Sequence, residues 1–344
     1  MKRALLTGLI FGLALFTGVI AYQGVGDVLA AVAVAGWGLL LVTFAHLAVV
    51  LIDAMSWRAL LDHGTRRSLH RLAWMWWIGE AVNALLPVAQ VGGELVRARL
   101  LNRDGVPGAQ AGASVVVGLT AGVLTLLMFA ATGAVLMGGD LLASEDGLPL
   151  LRLAVGIAVL GCLLYGFYLA QHRNLFLRLG RLVERLASGR DWLALTGDAA
   201  ALDRSIVELY RARRKFLACC AWRLVAWLAG VAEVWLALHL LGYPATFAEA
   251  FVLESLGQAA RSTGFAIPGA LGVQEGGFLV VGLQLGIPGE VALGVSLVKR
   301  VRDLLLGLPG LASWKLAEAS RLIGKLEAGR SVPAHHAAAH LIAA

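Results

Sequence analysis

The chain has 344 residues, of which 59% are hydrophobic and only 15% charged, with 42 glycines and a mean hydropathy of +0.78. Such values exclude an ordinary soluble domain and describe a polytopic membrane protein. The formal charge of +7 does not signal nucleic-acid binding, because Lys and Arg collect at the ends of apolar runs, where control of membrane topology accounts for them.

Residues 1–21 begin MKR and continue as an apolar run with no small-x-small cleavage site. They read as an uncleaved first helix with its N-terminus in the cytoplasm. A second span covers 28–52 and contains His46, with Asp53 just beyond it; both are read as structural. The connector that follows carries Arg58, Arg66, Arg67 and Arg71 against Asp62 alone, which assigns it to the cytoplasmic side.

Residues 72–86 are apolar but number about fifteen, too few at ~1.5 Å each to cross a ~30 Å hydrocarbon core. Pro87 stops them. Residues 92–102 turn back and end among Arg97, Arg99 and Arg103, which are expected at the cytoplasmic surface. Together they predict a re-entrant helical hairpin, a broken backbone tolerated only inside protein or beside a watery cavity. A full span follows at 108–137, then an acidic external loop with Asp140, Glu145 and Asp146, and a return span at 148–169.

The segment 173–215 holds ten Lys or Arg against five Asp or Glu and reads as a large cytoplasmic loop. Within it Leu175, Leu179, Leu182 and Leu186 recur at helical spacing, as in a helix lying in the membrane interface or an ordinary solvated connector. Residues 216–241 span outward, a short segment at 248–267 breaks at Pro268, 272–286 returns, and Pro288 opens a last span to about residue 314. A basic tail over 321–344 ends with His335, His336 and His340, read as a disordered end rather than a metal site.

One skeleton occurs twice at an offset of 181 residues. Pro87 answers Pro268, Glu94 answers Glu275, and Gly105, Pro107, Gly108 and Ala111 answer Gly286, Pro288, Gly289 and Ala292. With eight prolines in the chain, this predicts an internal duplication, repeat 1 over 72–137 and repeat 2 over 248–314, in a single transmembrane domain of residues 1–344. Because flanking charges send the two hairpins in from opposite faces, the expected fold is an all-α inverted repeat with re-entrant hairpins meeting near the midplane.

Charges inside such a protein need partners. Lys299, Arg300, Arg302 and Asp303 occupy one half of the last span's helical wheel, and at ~2.5 to 3.5 kcal/mol each they are too costly to face lipid. Lys299 and Asp303, four apart, are placed to pair, which leaves an excess of positive charge for the acids Glu80, Glu94, Glu254 and Glu275 or for an anionic ligand. Arg261 corresponds to Glu80 under the same offset, so attraction between the two is expected. Asn83, Gln258 and Gln274 lie near the breaks, where they serve exposed backbone or a headgroup. Glu233 is a further acid in an apolar span, without an assigned partner. Cys162, Cys219 and Cys220 lack metal or disulfide spacing, and no cofactor motif, hydrolase elbow, Walker loop or zinc signature is present.

At GGELVRARLL (residues 92–101), RSTGFAIPGALGVQEGGF (261–278) and SLVKRVRDLLLGLPG (296–310), the chain resembles the lysylphosphatidylglycerol synthase transmembrane, flippase-like family. Within it, the hopanoid-biosynthesis-associated membrane proteins are the most similar. The resemblance implies a lipid-flipping membrane domain whose headgroup contacts map to Glu94, Arg97, Glu275, Lys299, Arg300 and Arg302.

The expected function is therefore movement of an anionic or phosphate-bearing lipid through a central cavity, with membrane lipids and lipid-biosynthesis enzymes as partners and no enzymatic step. The alternatives are a membrane enzyme that modifies a lipid headgroup and a structural subunit of a hopanoid or glycolipid assembly.

Overall fold

The computed structural model describes residues 33–62, 64–86, 92–142, 199–265 and 267–330, with isolated positions at 17, 18 and 26. The described residues are helical, without a strand. The helices are α1 (Gly38–Leu60), α2 (Leu69–Leu85), α3 (Gly92–Arg103), α4 (Gly108–Leu142), α5 (Ala199–Arg211), α6 (Arg213–Leu240), α7 (Phe247–Thr263), α8 (Val273–Gln284) and α9 (Gly289–Arg330), with a 3₁₀ turn at Pro268–Ala270. The predicted first helix, the break at Pro87, the acidic loop, the 148–169 span, Cys162, the 175–186 helix and the tail histidines lie outside the described residues.

Three helices, α1, α4 over Gly108–Gly138 and α6, are long and apolar enough to cross a membrane. They wear their apolar side chains outward: Leu41, Phe44 and Leu51 on α1, Val123 and Met128 on α4, and Leu217 and Leu228 on α6 are all exposed. The polar residues run the other way, with Asp53, Arg97, Glu233, Glu254, Glu275, Lys299 and Arg302 buried. A soluble protein has the opposite arrangement. Apolar surface around a charged interior suits a hydrocarbon surrounding, where water no longer rewards an exposed charge.

The short helices come in two pairs. At ~1.5 Å per residue, α2 and α7, of 17 residues each, are about 26 Å long, and α3 and α8, of 12 each, about 18 Å. The bounds of α3 shifted by 181 are those of α8, and the start of α4 becomes the start of α9. The joining turns match bond for bond. Gly105 N–H donates to Asn102 O and Val106 N–H to Leu101 O, as Gly286 does to Leu283 O and Ile287 to Gly282 O. Gly105 and Gly286 both take a positive φ, +92° and +74°, a region open to glycine because it has no Cβ.

The turn at Pro268–Ala270 rests on the C-terminal end of α2. A Cβ on Gly269 would stand 3.3 Å from the Ala84 carbonyl oxygen, so the side chain is absent where two backbones meet. Ion pairs gather the connectors at one end of the molecule: Arg67 and Arg71 with Asp104, Arg103 with Glu318, and Lys215 with Asp62. At the other end Leu241, Ala245 and Ile287 pack into one apolar cluster with Ala35. Residues 199–215 are the described part of the predicted 173–215 loop, and its last three already belong to α6. Helix α5 lies on α4 through Leu202, Ile206 and Leu209, and its Tyr210 hydroxyl donates to Thr120 at 2.8 Å.

Candidate functional site: a buried charge network

Helix α9 delivers four charges into the interior, and each finds a partner from another part of the fold. Lys299 Nζ lies 2.5 Å from Glu254 Oε2 on α7 and 5.3 Å from the centre of the Phe278 ring on α8. Arg302 binds Glu233 on α6 through Nη1 and its neighbour Asp303 at 2.6 Å through Nη2. Glu233 Oε2 is also 2.8 Å from His46 Nδ1 on α1, and His46 Nε2 is 3.6 Å from Glu80 on α2. Gln258 donates to Glu254 at 2.8 Å, and Trp76 Nε1 donates to Glu80 at 3.1 Å. Residues from α1, α2, α6, α7 and α9 thus meet in one network. Removing one partner of such a buried pair typically costs ~3–5 kcal/mol, because the other charge stays behind in low dielectric.

Two sequence pairings are corrected here. Lys299 pairs with Glu254 rather than with Asp303, which Arg302 occupies. Arg261 does not meet Glu80; its Nη2 is 3.9 Å from Asp303 Oδ2, while Glu80 turns to His46 and Trp76. At that distance Arg261 has an ion pair without a hydrogen bond. Asp303 Oδ2 and Gln274 Oε1 are buried without a hydrogen-bond partner, as are Arg58 Nε, Arg97 Nε and Asp104 Oδ2 elsewhere; the two oxygens could only take a donor.

Arg300 stands apart from this network. Its Nε donates to Glu275 Oε1 at 2.8 Å, Nη1 to Gly269 O at 2.6 Å and Nη2 to Ala270 O at 3.3 Å. Those carbonyls point inward because Gly269 and Ala270 take positive φ, 62° and 49°. Glu275 Oε2 accepts the Gly272 N–H at 2.7 Å, and Ser296 on α9 bridges Glu275 and Gln274 at 3.3 and 2.9 Å. Arg300, Glu275 and Ser296 therefore satisfy the backbone that the break before α8 leaves open, as buried polar groups require.

The first helix pair solves the same problem with other residues. Asn83 Oδ1 accepts the Gly93 N–H at 2.7 Å at the start of α3. Glu94 accepts from Arg97 at 2.5 Å. Arg97 was expected at the surface beside Arg99 and Arg103; those two are exposed, but Arg97 is buried, with its guanidinium 3.7 Å above the Trp76 ring. Gly79 makes that possible, since a Cβ there would collide with Arg97 Nε and lie 2.8 Å from its Cγ. Arg223 of α6 approaches the same ring at 5.0 Å and binds Asp53 at 2.7 Å.

Sequence reasoning set Asp53 aside and passed over Arg223. The available signal was one acid and one base, each isolated in a neighbouring apolar span, the pattern expected when charges in a membrane interior pair with each other. Glu233 and His46 carried the same signal.

An apolar exterior, helices of spanning length and a charge-paired interior define an all-helical polytopic membrane protein. The family model described as lysylphosphatidylglycerol synthase TM region matches residues 9–310. The chain belongs to that family, which places it among membrane proteins of lipid metabolism or transport. Compared with curated proteins, the chain has no match.

Proposed function

We propose that the protein moves an anionic, phosphate-bearing lipid across the bacterial inner membrane, as a flippase without an enzymatic step. The observation that carries this reading is the buried network on α9. Arg261 and Arg302 converge there on Asp303, and Arg261 holds that partner only at 3.9 Å. A guanidinium held that loosely is free to fork onto a phosphate. Lys299 and Arg302 would then exchange carboxylates for the headgroup as the network opens. Arg300 and Glu275, and Glu94 with Arg97, hold the framework around it.

In this reading the α2/α3 and α7/α8 pairs are re-entrant hairpins of an inverted repeat, 72–137 and 248–314. The matched bounds at offset 181 and the gathering of their connectors at opposite ends support it. The 173–215 segment and the 321–344 tail face the cytoplasm with the N-terminus. Within its family we place the chain nearest the hopanoid-biosynthesis-associated proteins on the 268–275 motif, with lipid-biosynthesis enzymes as neighbours.

The test uses purified protein in liposomes containing fluorescent phosphatidylglycerol. Redistribution of the probe between leaflets with no change in its mass is expected. A changed mass would make the protein an enzyme, and neither result would leave it a structural subunit. In parallel, Arg261→Gln should lose bound anionic lipid in native mass spectrometry by about tenfold to a hundredfold, with the melting temperature nearly unchanged. Lipid retained at a lowered melting temperature would remove Arg261 from the site.

A further inference from the structure

His46 lies where charged groups of three other helices converge. Its Nδ1 is 2.8 Å from Glu233 Oε2 on α6 and 3.1 Å from Arg302 Nη1 on α9, and its Nε2 is 3.6 Å from Glu80 Oε2 on α2. One ring nitrogen cannot serve Glu233 and Arg302 in the same protonation state. A carboxylate needs a proton on Nδ1, whereas a guanidinium needs the Nδ1 lone pair. Neutral imidazole accepts from Arg302 with its proton on Nε2; with its proton on Nδ1 it donates to Glu233 and faces Glu80 with a free Nε2 lone pair. Imidazolium donates to Glu233 from Nδ1, faces the Glu80 carboxylate from Nε2 at 3.6 Å, and repels Arg302.

The charge balance of the interior points to the same atom. The permanent cations Arg261, Lys299, Arg300 and Arg302 face the carboxylates Glu80, Glu233, Glu254, Glu275 and Asp303. This set is neutral with one proton on His46 and carries one net negative charge without it. The adjoining groups do not alter the balance, because Asp53 pairs with Arg223 and Glu94 with Arg97. Helix α4 has no charged residue between Gly108 and Gly138, and α7 reaches His46 only through Arg261 at Asp303 and Glu254 at Lys299. A net charge in the hydrocarbon zone is costly, so gain or loss of this one proton changes the electrostatic state of the whole cluster.

Glu80 is the most open member of this line of groups. The Glu80 side chain is 32% exposed, against 14% for His46 and 3% for Glu233. Exposure therefore falls along the line from Glu80 through His46 to the Glu233–Arg302 pair.

We propose that His46, entered through Glu80 and partnered by Glu233, is a proton-binding site that couples a proton gradient to lipid movement; this rests on the transport reading above. A proton leaves bulk water for the Glu80 carboxylate and passes to the free Nε2 lone pair of His46 in its Nδ1–H tautomer, which leaves a Glu80 carboxylate and an imidazolium. The imidazolium takes Glu233 through Nδ1–H and leaves one edge of the Arg302 guanidinium open to a phosphate, while Asp303 keeps the other edge. Return of the proton to water restores neutral imidazole, and Glu233 goes back to Arg302 and displaces the phosphate. Only N–H and O–H bonds form and break.

Phosphatidylcholine liposomes carrying the protein and a trace of fluorescent phosphatidylglycerol test this under pH gradients of either sign. With one proton moved per lipid, the leaflet ratio of the probe should shift by up to about tenfold per pH unit and reverse with the gradient. The double variant His46→Gln, Glu80→Gln keeps the balance at four cations and four carboxylates, and its leaflet ratio should ignore the gradient. His46→Gln alone keeps the extra negative charge and should melt below the double variant. Native protein that redistributes the probe equally with and without a gradient overturns the proton site and leaves transport standing. A double variant that still follows the gradient, or that melts below the single one, also overturns the proton site. Absence of redistribution under every gradient overturns the transport reading and the coupling together.

Discussion

The helix pairs α2/α3 and α7/α8 share their helix bounds at an offset of 181 and the bonding of the turns that follow, yet they dispose of charge differently. In the second, the following helix carries Lys299, Arg300, Arg302 and Asp303. In the first, the equivalent positions on α4 are Gly118, Leu119, Ala121 and Gly122. The missing cations are replaced from elsewhere, by Arg97 from α3 and by Arg223 from α6, whose Nη2 lies 2.8 Å from where a Gly122 Cβ would be. A cleft lined by Ser56, Trp76, Glu94, Arg97, Ser114 and Arg223 results. A backbone plan is thus kept while its charges are moved. Turn geometry is set locally by Gly and Pro, whereas a buried charge needs only to reach a partner and can come from any helix that points inward.

The all-or-none test of this comparison is sidedness. Single cysteines at Ser68, before α2, and at Tyr243, before α7, should label with an impermeant reagent from the cytoplasm and from outside respectively. Labelling of both from one side would turn the inverted repeat into a parallel one.

The next effect in size separates the two breaks. Arg300→Ala leaves the buried Glu275 without its cation and the Gly269 and Ala270 carbonyls without their donor, and should destabilise the protein by ~3–5 kcal/mol. Thermal unfolding in detergent reads this, and a change under 1 kcal/mol would mean that another group closes the break. Arg99→Ala, at an exposed position of the first pair, should stay within about 0.5 kcal/mol.

A smaller loss belongs to the seat of Arg97. Gly79→Ala places a methyl group against Arg97 Nε and Cγ and should cost ~1–3 kcal/mol as an overpacked contact. Gly276→Ala on α8, where a Cβ meets nothing within 4 Å, is the matched control and should be neutral or slightly stabilising. The smallest expected change is Asn83→Ala, which removes the acceptor for the Gly93 N–H and should cost ~1 kcal/mol, in the range of a lost helix cap.

Much of this architecture was legible in the residues. Apolar run lengths located α4 and α6 and, in part, α1, since the expected 28–52 span is interrupted by a turn at Gly36–Trp37 and the helix continues to Leu60. Pro and Gly bounded the short helices, and the expected return segment 92–102 ends within one residue of Arg103. The rule that a membrane interior must neutralise its charges also singled out Glu254, Lys299, Arg302 and Asp303. These signals are local, since a helix start, a left-handed turn or a span length is set by a few neighbouring residues. α9 shows the limit of such signals, because it runs past residue 314 to Arg330 with Pro309 inside it. Its docking on α2, through Trp77 Nε1 to the Leu306 carbonyl and Trp74 to Ser313, accompanies that continuation.

Partner choice belonged to the tertiary structure. Helical spacing favoured Lys299 with Asp303, but α7 brings Glu254 to Lys299 across 45 positions and α6 brings Glu233 to Arg302 across 69. Arg97 went inward because Gly79 and Trp76 offered it a seat on the facing helix. His46 joined the network only because α1, α2, α6 and α9 converge at one depth. Composition and periodicity say that a charge must be satisfied; which group satisfies it depends on which helices pack side by side, and that is decided by the shapes of whole faces rather than by any short stretch of chain.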